Sequence, residues 1–154
     1  MDPDTNTRKF ACFAVGNAGF HNDSIYENLR PCVPLLVKLL KDPEEKTRAN
    51  AAGALGNFVR NSVALCNELI KYNALQELLD VVQNDQGPSQ SPRRIALFSI
   101  GNCCVYQECR VNFERMGIRE IIEPFRRDGG TNDTQVVKYA SRIIQKLNID
   151  ANSN

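Results

Sequence analysis

The sequence predicts an all-α chain, a right-handed superhelical solenoid with one leading helix followed by about three units of three helices each. Three observations predict it. A Gly-Asn pair recurs inside three helical stretches, "ACFAVGNAGFHN" from Ala11, "AAGALGNFVRN" from Ala51 and "ALFSIGNCCVY" from Ala96, with its glycines 40 and 45 residues apart. A fourth stretch, "ASRIIQKL" from Ala140, begins 44 residues after Ala96 and lacks the pair. The same stripe runs through all four: Ala11, Ala14, Val15, Ala18; then Ala51, Ala54, Leu55, Phe58; then Ala96, Ser99, Ile100, Cys103; then Ala140, Ile143, Ile144, Leu147. That spacing of i, i+3, i+4, i+7 is one face of a helix. Finally, no segment alternates with a period of two, so no strand is expected.

Taken in order, residues 1–7 read as a disordered lead or expression remnant, and residues 8–21 as a third helix without its first two. Units follow at about 22–61, 62–106 and 107–148, with 149–154 as a tail; periods in the low forties are those of armadillo and HEAT solenoids. The first unit opens with "DSIYENLR", stopped near Pro31, and continues with the apolar "VPLLVKLLK". Its counterparts are "SVALCNELIKY" with "ALQELLDVV", then "YQECRVNFERMG" with "IREIIEPFRR", where Pro124 is expected to kink or shorten the helix. Asp42-Pro43-Glu44-Glu45 suggests an N-cap, a proline at the first helical position and a glutamate behind it, and Ser91-Pro92 repeats the cap-then-proline order. Thr131 to Asp133 supplies caps for the last helix. An array that starts part-way through a unit is expected to be a piece of something longer.

Composition narrows the function. At 154 residues and a net charge of +1, the chain suits one domain and gives no sign of nucleic-acid binding. No transmembrane run or signal segment is present, so membrane binding is not expected and a cytoplasmic location is. Cys12, Cys32, Cys66, Cys103, Cys104 and Cys109 sit at helical positions in place of small apolar residues and read as reduced thiols. Cys103, Cys104 and Cys109 lack paired metal-ligand spacing and the single histidine, His21, is remote, so neither a metal nor any cofactor is expected. There is no nucleophile–base pair, no phosphate loop, and no catalytic H-R-D or D-F-G, so the chain reads as non-catalytic. His21 reads as a helix-end surface residue, and Arg126 and Arg127 as cations suited to a helix C-terminus.

Why, then, place Gly-Asn inside good helices, where glycine costs about 1 kcal/mol relative to alanine? At about 100° per residue, the asparagines Asn17, Asn57 and Asn102 fall about 240° from the first core alanine, off the apolar stripe. Four residues earlier stand Phe13, Gly53, Phe98 and, in the last copy, Arg142; four earlier again stand Lys9, Ala49, Arg94 and Lys138. Stacked units would align a basic, an aromatic and an asparagine row. An asparagine amide pairs with both the C=O and the N–H of an extended peptide, and the cations favour an acidic one. The competing reading has the asparagines bonding carbonyls of adjacent units while the glycines relieve crowding between helices. Ser91-Pro92-Arg93-Arg94 also matches a proline-directed phosphorylation site, with Ser91 at a helix start beside two arginines.

The pattern A-x-x-A-L-x-N resembles armadillo repeats, in which asparagine and an aromatic four residues before it line a concave peptide groove. More narrowly, "KFACFAVGNA" and "KTRANAAGALGN" within Lys9–Ser62 resemble the C-terminal armadillo region of Fused-type serine/threonine kinases, and the similarity continues through "RIALFSIGN" and "VVKYASRIIQKL". The resemblance implies a regulatory and docking region remote from a kinase domain. It further implies kinesin-like motors as partners and a role in ciliary central-pair assembly, cytokinesis or Hedgehog signalling, with a cilium or microtubule location. Gly53 in an aromatic slot and Gln145-Lys146 in place of Gly-Asn depart from that pattern. Two rivals stand beside the groove: self-association through exposed end helices, and a nuclear-import-type carrier, which calls for tryptophans this chain lacks.

Overall fold

A computed structural model describes residues 2–21, 23–60, 62–127 and 131–149. Its helices are α1 (Thr5–His21), α2 (Tyr26–Leu29), α3 (Val33–Leu39), α4 (Glu45–Phe58), α5 (Cys66–Lys71), α6 (Ala74–Asn84), α7 (Ser91–Cys103), α8 (Gln107–Arg115), α9 (Ile118–Ile122) and α10 (Thr134–Leu147), and no strand occurs among the described residues. The fold is an armadillo/HEAT-like solenoid. Third helices α1, α4, α7 and α10 stack along one side, and second helices α3, α6 and α9 back them. Short 3-10 turns at Asp23–Ile25 and Arg30–Cys32 flank α2, and another at Glu123–Phe125 ends α9 where Pro124 removes a backbone donor. The first and second helices of the later two units meet at a left-handed residue, Asn73 (φ 61°) and Gly117 (φ 73°), the residue types that tolerate it.

Burial follows the stripe in three copies: Ala51, Ala54, Leu55 and Phe58, Ala96, Ser99, Ile100 and Cys103, and Ala140, Ile143, Ile144 and Leu147 are all buried. The first copy corrects the expectation. Ala11 and Ala14 are exposed, Val15 and Ala18 half-buried, and α1 instead buries Cys12, Gly16 and Gly19 against α4. The difference is physical, since the stripe packs on the second helix of its own unit and no such helix stands beside α1 among the described residues.

Three boundary expectations also change. Residues 5–7 belong to α1, whose first turn is held by Asp4 Oδ1 accepting from the Thr7 N–H at 2.6 Å. The cap of α4 is Glu44, not Asp42: its carboxylate accepts from the Thr47 N–H at 2.6 Å and the Thr47 hydroxyl at 2.8 Å. For α7, Ser91 is the first helical residue and Gln90, at φ 51°, precedes it. Asp133 does cap α10, accepting from the Gln135 and Val136 N–H groups.

The cysteines serve as core. All but Cys32 are buried, and none is in a disulfide. Burial pushes the Cys104 thiol up to about 12 and the Cys12 thiol up to about 11. Hydrogen bonding along Cys66, Cys109 and Cys103, together with burial, raises Cys66 and Cys109 as well, so all four stay protonated at neutral pH.

Candidate functional site

The candidate site lies along the third helices, α1, α4, α7 and α10. Its geometry starts at the Gly-Asn pairs, where a side chain of each later unit donates to a carbonyl of the unit before it. Asn57 Nδ2 donates to Gly16 O at 3.0 Å, Asn102 Nδ2 to Gly56 O at 3.3 Å, and Lys146 Nζ to Gly101 O at 2.5 Å. Lys146 thus occupies the asparagine position of the last copy. Two further rungs run the same way, from Asn50 Nδ2 to Lys9 O and from the Ser99 hydroxyl to Ala52 O.

The glycines set the helix spacing that these rungs need. A Cβ at Gly16 would stand 3.2 Å from the Ala54 Cα, and one at Gly56 would collide with Ser99, 2.9 Å from its Cα. At Gly101 the nearest atom is 3.8 Å away. There the helices are further apart, and the longer lysine spans the gap that an asparagine closes elsewhere.

Opposite charges run the other way between units. Arg8 meets Asp42 at 2.6 Å, Arg30 meets Glu68 at 2.9 Å, Lys41 meets Glu77 at 2.7 Å, Arg48 meets Asp85 at 3.4 Å and Arg94 meets Asp133 at 3.1 Å, the cation always in the earlier unit. Burial opposes ionisation of Asp42, but the Arg8 hydrogen bond and the Glu44 N–H outweigh it, and its carboxyl lies below the usual range. Arg8 and Arg48 also donate to carbonyls of the stretch preceding their own helix, and Arg93 donates to Val82 O within α6 and to Asp85 O in the loop after it. These arginines were not singled out from sequence, although an R-x-x-A pattern ("RKFA", "RANA", "RRIA") marks all three.

The anticipated rows can now be placed. Asn17 is exposed, with no partner for its amide among the described residues; Asn57 is half-buried; Asn102, expected to face outward, is only 4% exposed and also accepts from Arg142 at 3.5 Å. The expectation of an exposed asparagine row is corrected at Asn102, because α10 packs over it. Phe13 is 56% exposed. Phe98 is half-buried, edge-on to Tyr139 with ring centres 5.4 Å apart and the Arg142 guanidinium above it. Lys9 bonds Asn6 Oδ1 and lies over the Phe10 ring, Arg94 is tied to Asp133 and the Ser91 hydroxyl, and Lys138 is exposed. His21 ends α1, exposed, edge-on to Phe20.

Between α1, α4 and α7 these residues leave a groove. A pocket of 180 Å³ lies beside Gly53, walled by Phe13, Asn17, Asn57 and Ile95. It shares Phe13, Ala49, Asn50 and Ile95 with a wider cavity of 500 Å³ reaching Lys9, Phe10, Lys46 and Ser91. Among the described residues, two lysines and no carboxylate line the two together. No helix among the described residues is long and apolar enough to cross a membrane.

Comparison with known proteins agrees with this fold. The HEAT-like repeat family matches residues 5–58. Serine/threonine-protein kinase TIO of Arabidopsis thaliana is 41% identical over 133 residues, which cover 79% of this chain and 10% of that one. Serine/threonine-protein kinase 36 of Mus musculus is 36% identical over 108 residues, 69% of this chain and 8% of that one. The chain therefore spans a tenth or less of these Fused-type kinases, and it is a repeat solenoid, not a catalytic domain. Among solved structures, computationally designed armadillo repeat proteins for modular peptide recognition superpose with a TM-score of 0.84 at 23% identity, over 96% of this chain and 60% of theirs.

Proposed function

We propose, starting from this homology to a short stretch of the Fused-type kinases, that the chain is a non-catalytic interaction module that holds an extended acidic segment of a partner protein across its third helices. What supports the reading is the groove itself, with aromatic and aliphatic walls, lysines at its rim and no carboxylate among its described lining residues. Phe13, Asn17, Asn57 and Lys9 take direct roles in it, while Phe98, Asn102, Arg94 and Lys138 shape or extend its α7–α10 end. The asparagines act in two ways: Nδ2 of Asn57 and Asn102 fastens the units, and Asn17 is left for a ligand. Ser91 lines the wider cavity, so a phosphate there would set negative charge against the lysine rim and oppose an acidic ligand. The regulatory role within a kinase, the kinesin-like partners and the ciliary, cytokinetic or Hedgehog setting are carried in this proposal by homology alone.

The test is selection of binding sequences from a displayed random-peptide library. Acidic sequences should emerge whose amide-NMR footprint falls on α1, α4 and α7, and Lys9→Glu with Lys46→Glu should abolish them without shifting the melting curve. Emergence of basic sequences, or a footprint on α2, α5 and α8, overturns the reading. A second reading, homodimerisation, is favoured by the uncovered stripe of α1, where Phe10 is 61% exposed beside Ala11 and Ala14. Sedimentation equilibrium distinguishes it, because dimerisation through that stripe is lost on Phe10→Glu.

A further inference from the structure

The aromatic row breaks once inside the groove. Positions 13, 53 and 98 follow the same register, and they hold Phe13, Gly53 and Phe98. Phe98 is engaged by Tyr139 and Arg142, while Phe13 stands largely in solvent. Between them Gly53 presents no side chain, and the 180 Å³ pocket occupies the space. A cavity of about 150 Å³ suffices to take up a benzene ring. The void is not a consequence of crowding. A Cβ built at Gly53 meets only the Ile95 Cγ2, at 3.3 Å, unlike the glycines of the Gly-Asn pairs at 16 and 56, whose near neighbours include the backbone of the next third helix. Helix backbone therefore does not demand glycine here, and a Cβ fits once the Ile95 side chain gives by a few tenths of an ångström.

We infer that Gly53 makes a specificity pocket for one aromatic side chain of the bound segment, which takes the place in the row that the protein leaves empty. The inference rests on the groove reading above and adds to it the identity of the anchoring residue. Phe13 supplies one wall, Ile95 the opposite wall, and Ala49, Gly53 and Ala54 the floor. Lys9 and Lys46 line the adjoining cavity, so the residues next to the aromatic in the ligand are acidic. The rim amides of Asn17 and Asn50 flank the path of the ligand backbone.

The experiment measures fluorescence anisotropy of two labelled seven-residue peptides, both acidic at every position but the centre, where one carries phenylalanine and the other alanine. Burying the ring is expected to favour the phenylalanine peptide by roughly tenfold or more. Gly53→Phe, which fills the slot from the protein side, should bring the two within about twofold of each other. Ala49→Leu narrows the same pocket from a neighbouring position and serves if Gly53→Phe disturbs folding, which circular dichroism reports. Lys9→Glu with Lys46→Glu should weaken both peptides and leave their ratio unchanged. Equal binding of the two peptides to the wild type, or a preference that survives both pocket-filling variants, overturns the aromatic pocket and leaves the groove standing. Failure of both acidic peptides to bind overturns the groove and the pocket with it.

Discussion

Gly56 and Gly101 occupy the same place in consecutive copies, and they tolerate a methyl group differently. At Gly56 an added Cβ runs into Ser99, whose hydroxyl is committed to Ala52 O at 2.7 Å in a fully buried setting. Gly56→Ala should therefore destabilise by about 1–3 kcal/mol through overpacking, despite a helix-propensity gain of about 1 kcal/mol. At Gly101 nothing lies closer than 3.8 Å, so the propensity gain is unopposed and Gly101→Ala should stabilise by up to about 1 kcal/mol. Urea denaturation of the two variants checks the opposite signs. The pairs themselves are legible in the sequence, because glycine and asparagine inside a helix break local preference at a fixed period. Their use is less so. The acceptor of Asn57 lies 41 residues upstream and that of Asn102 lies 46 upstream, and helical angle alone does not say whether a neighbouring helix covers that position.

Among the elements, α10 departs most from the common pattern. It has the most segregated sequence of the third helices, with Val136, Ala140, Ile143, Ile144 and Leu147 buried along one side and Lys146 at its edge. Burial, and after it the Arg142 charge, lowers the Lys146 pKa below its ordinary 10.5. The folded state thus holds this proton less tightly than the unfolded chain. Below the folded value both states are charged and the full cost of burying the ammonium is present; as pH rises through that value toward 10.5, the cost disappears. Relative to Lys146→Asn, which restores the rung with a neutral donor, the wild type should gain stability as pH climbs through this window. Paired urea midpoints at pH 7 to 10.5 check it, and parallel curves would rule it out. Helix positions and most stops were readable from proline, glycine and the apolar period. The cap of α4 was not, because the side chain of Asp42 is drawn away by Arg8 from the preceding unit, a partner remote in sequence.

Taken as a whole, the molecule is directional. Its side-chain amide, hydroxyl and amine rungs point toward the start of the chain, and the cations of its ion pairs between units reach toward the end, at each junction between third helices. The architecture was open to sequence reasoning because a translational repeat writes the same core several times. The groove's detail was not, since one empty side-chain position among aromatics reads as a defect until its neighbours are seen. The matching junctions mean that the chain is written in interchangeable tiles. Deleting residues 57–101 joins Gly56 directly to Asn102, so a carbonyl that received the second rung still faces a unit able to supply it. The chain with one whole tile removed should fold as a shorter helical rod and melt cooperatively at a lower temperature, in keeping with nearest-neighbour energetics. Deleting residues 66–84 removes fewer residues but half a tile, strips α6 from the buried face of α7 and α5 from α8, and should leave no cooperative melt by circular dichroism. Length, in this protein, is editable only in whole words.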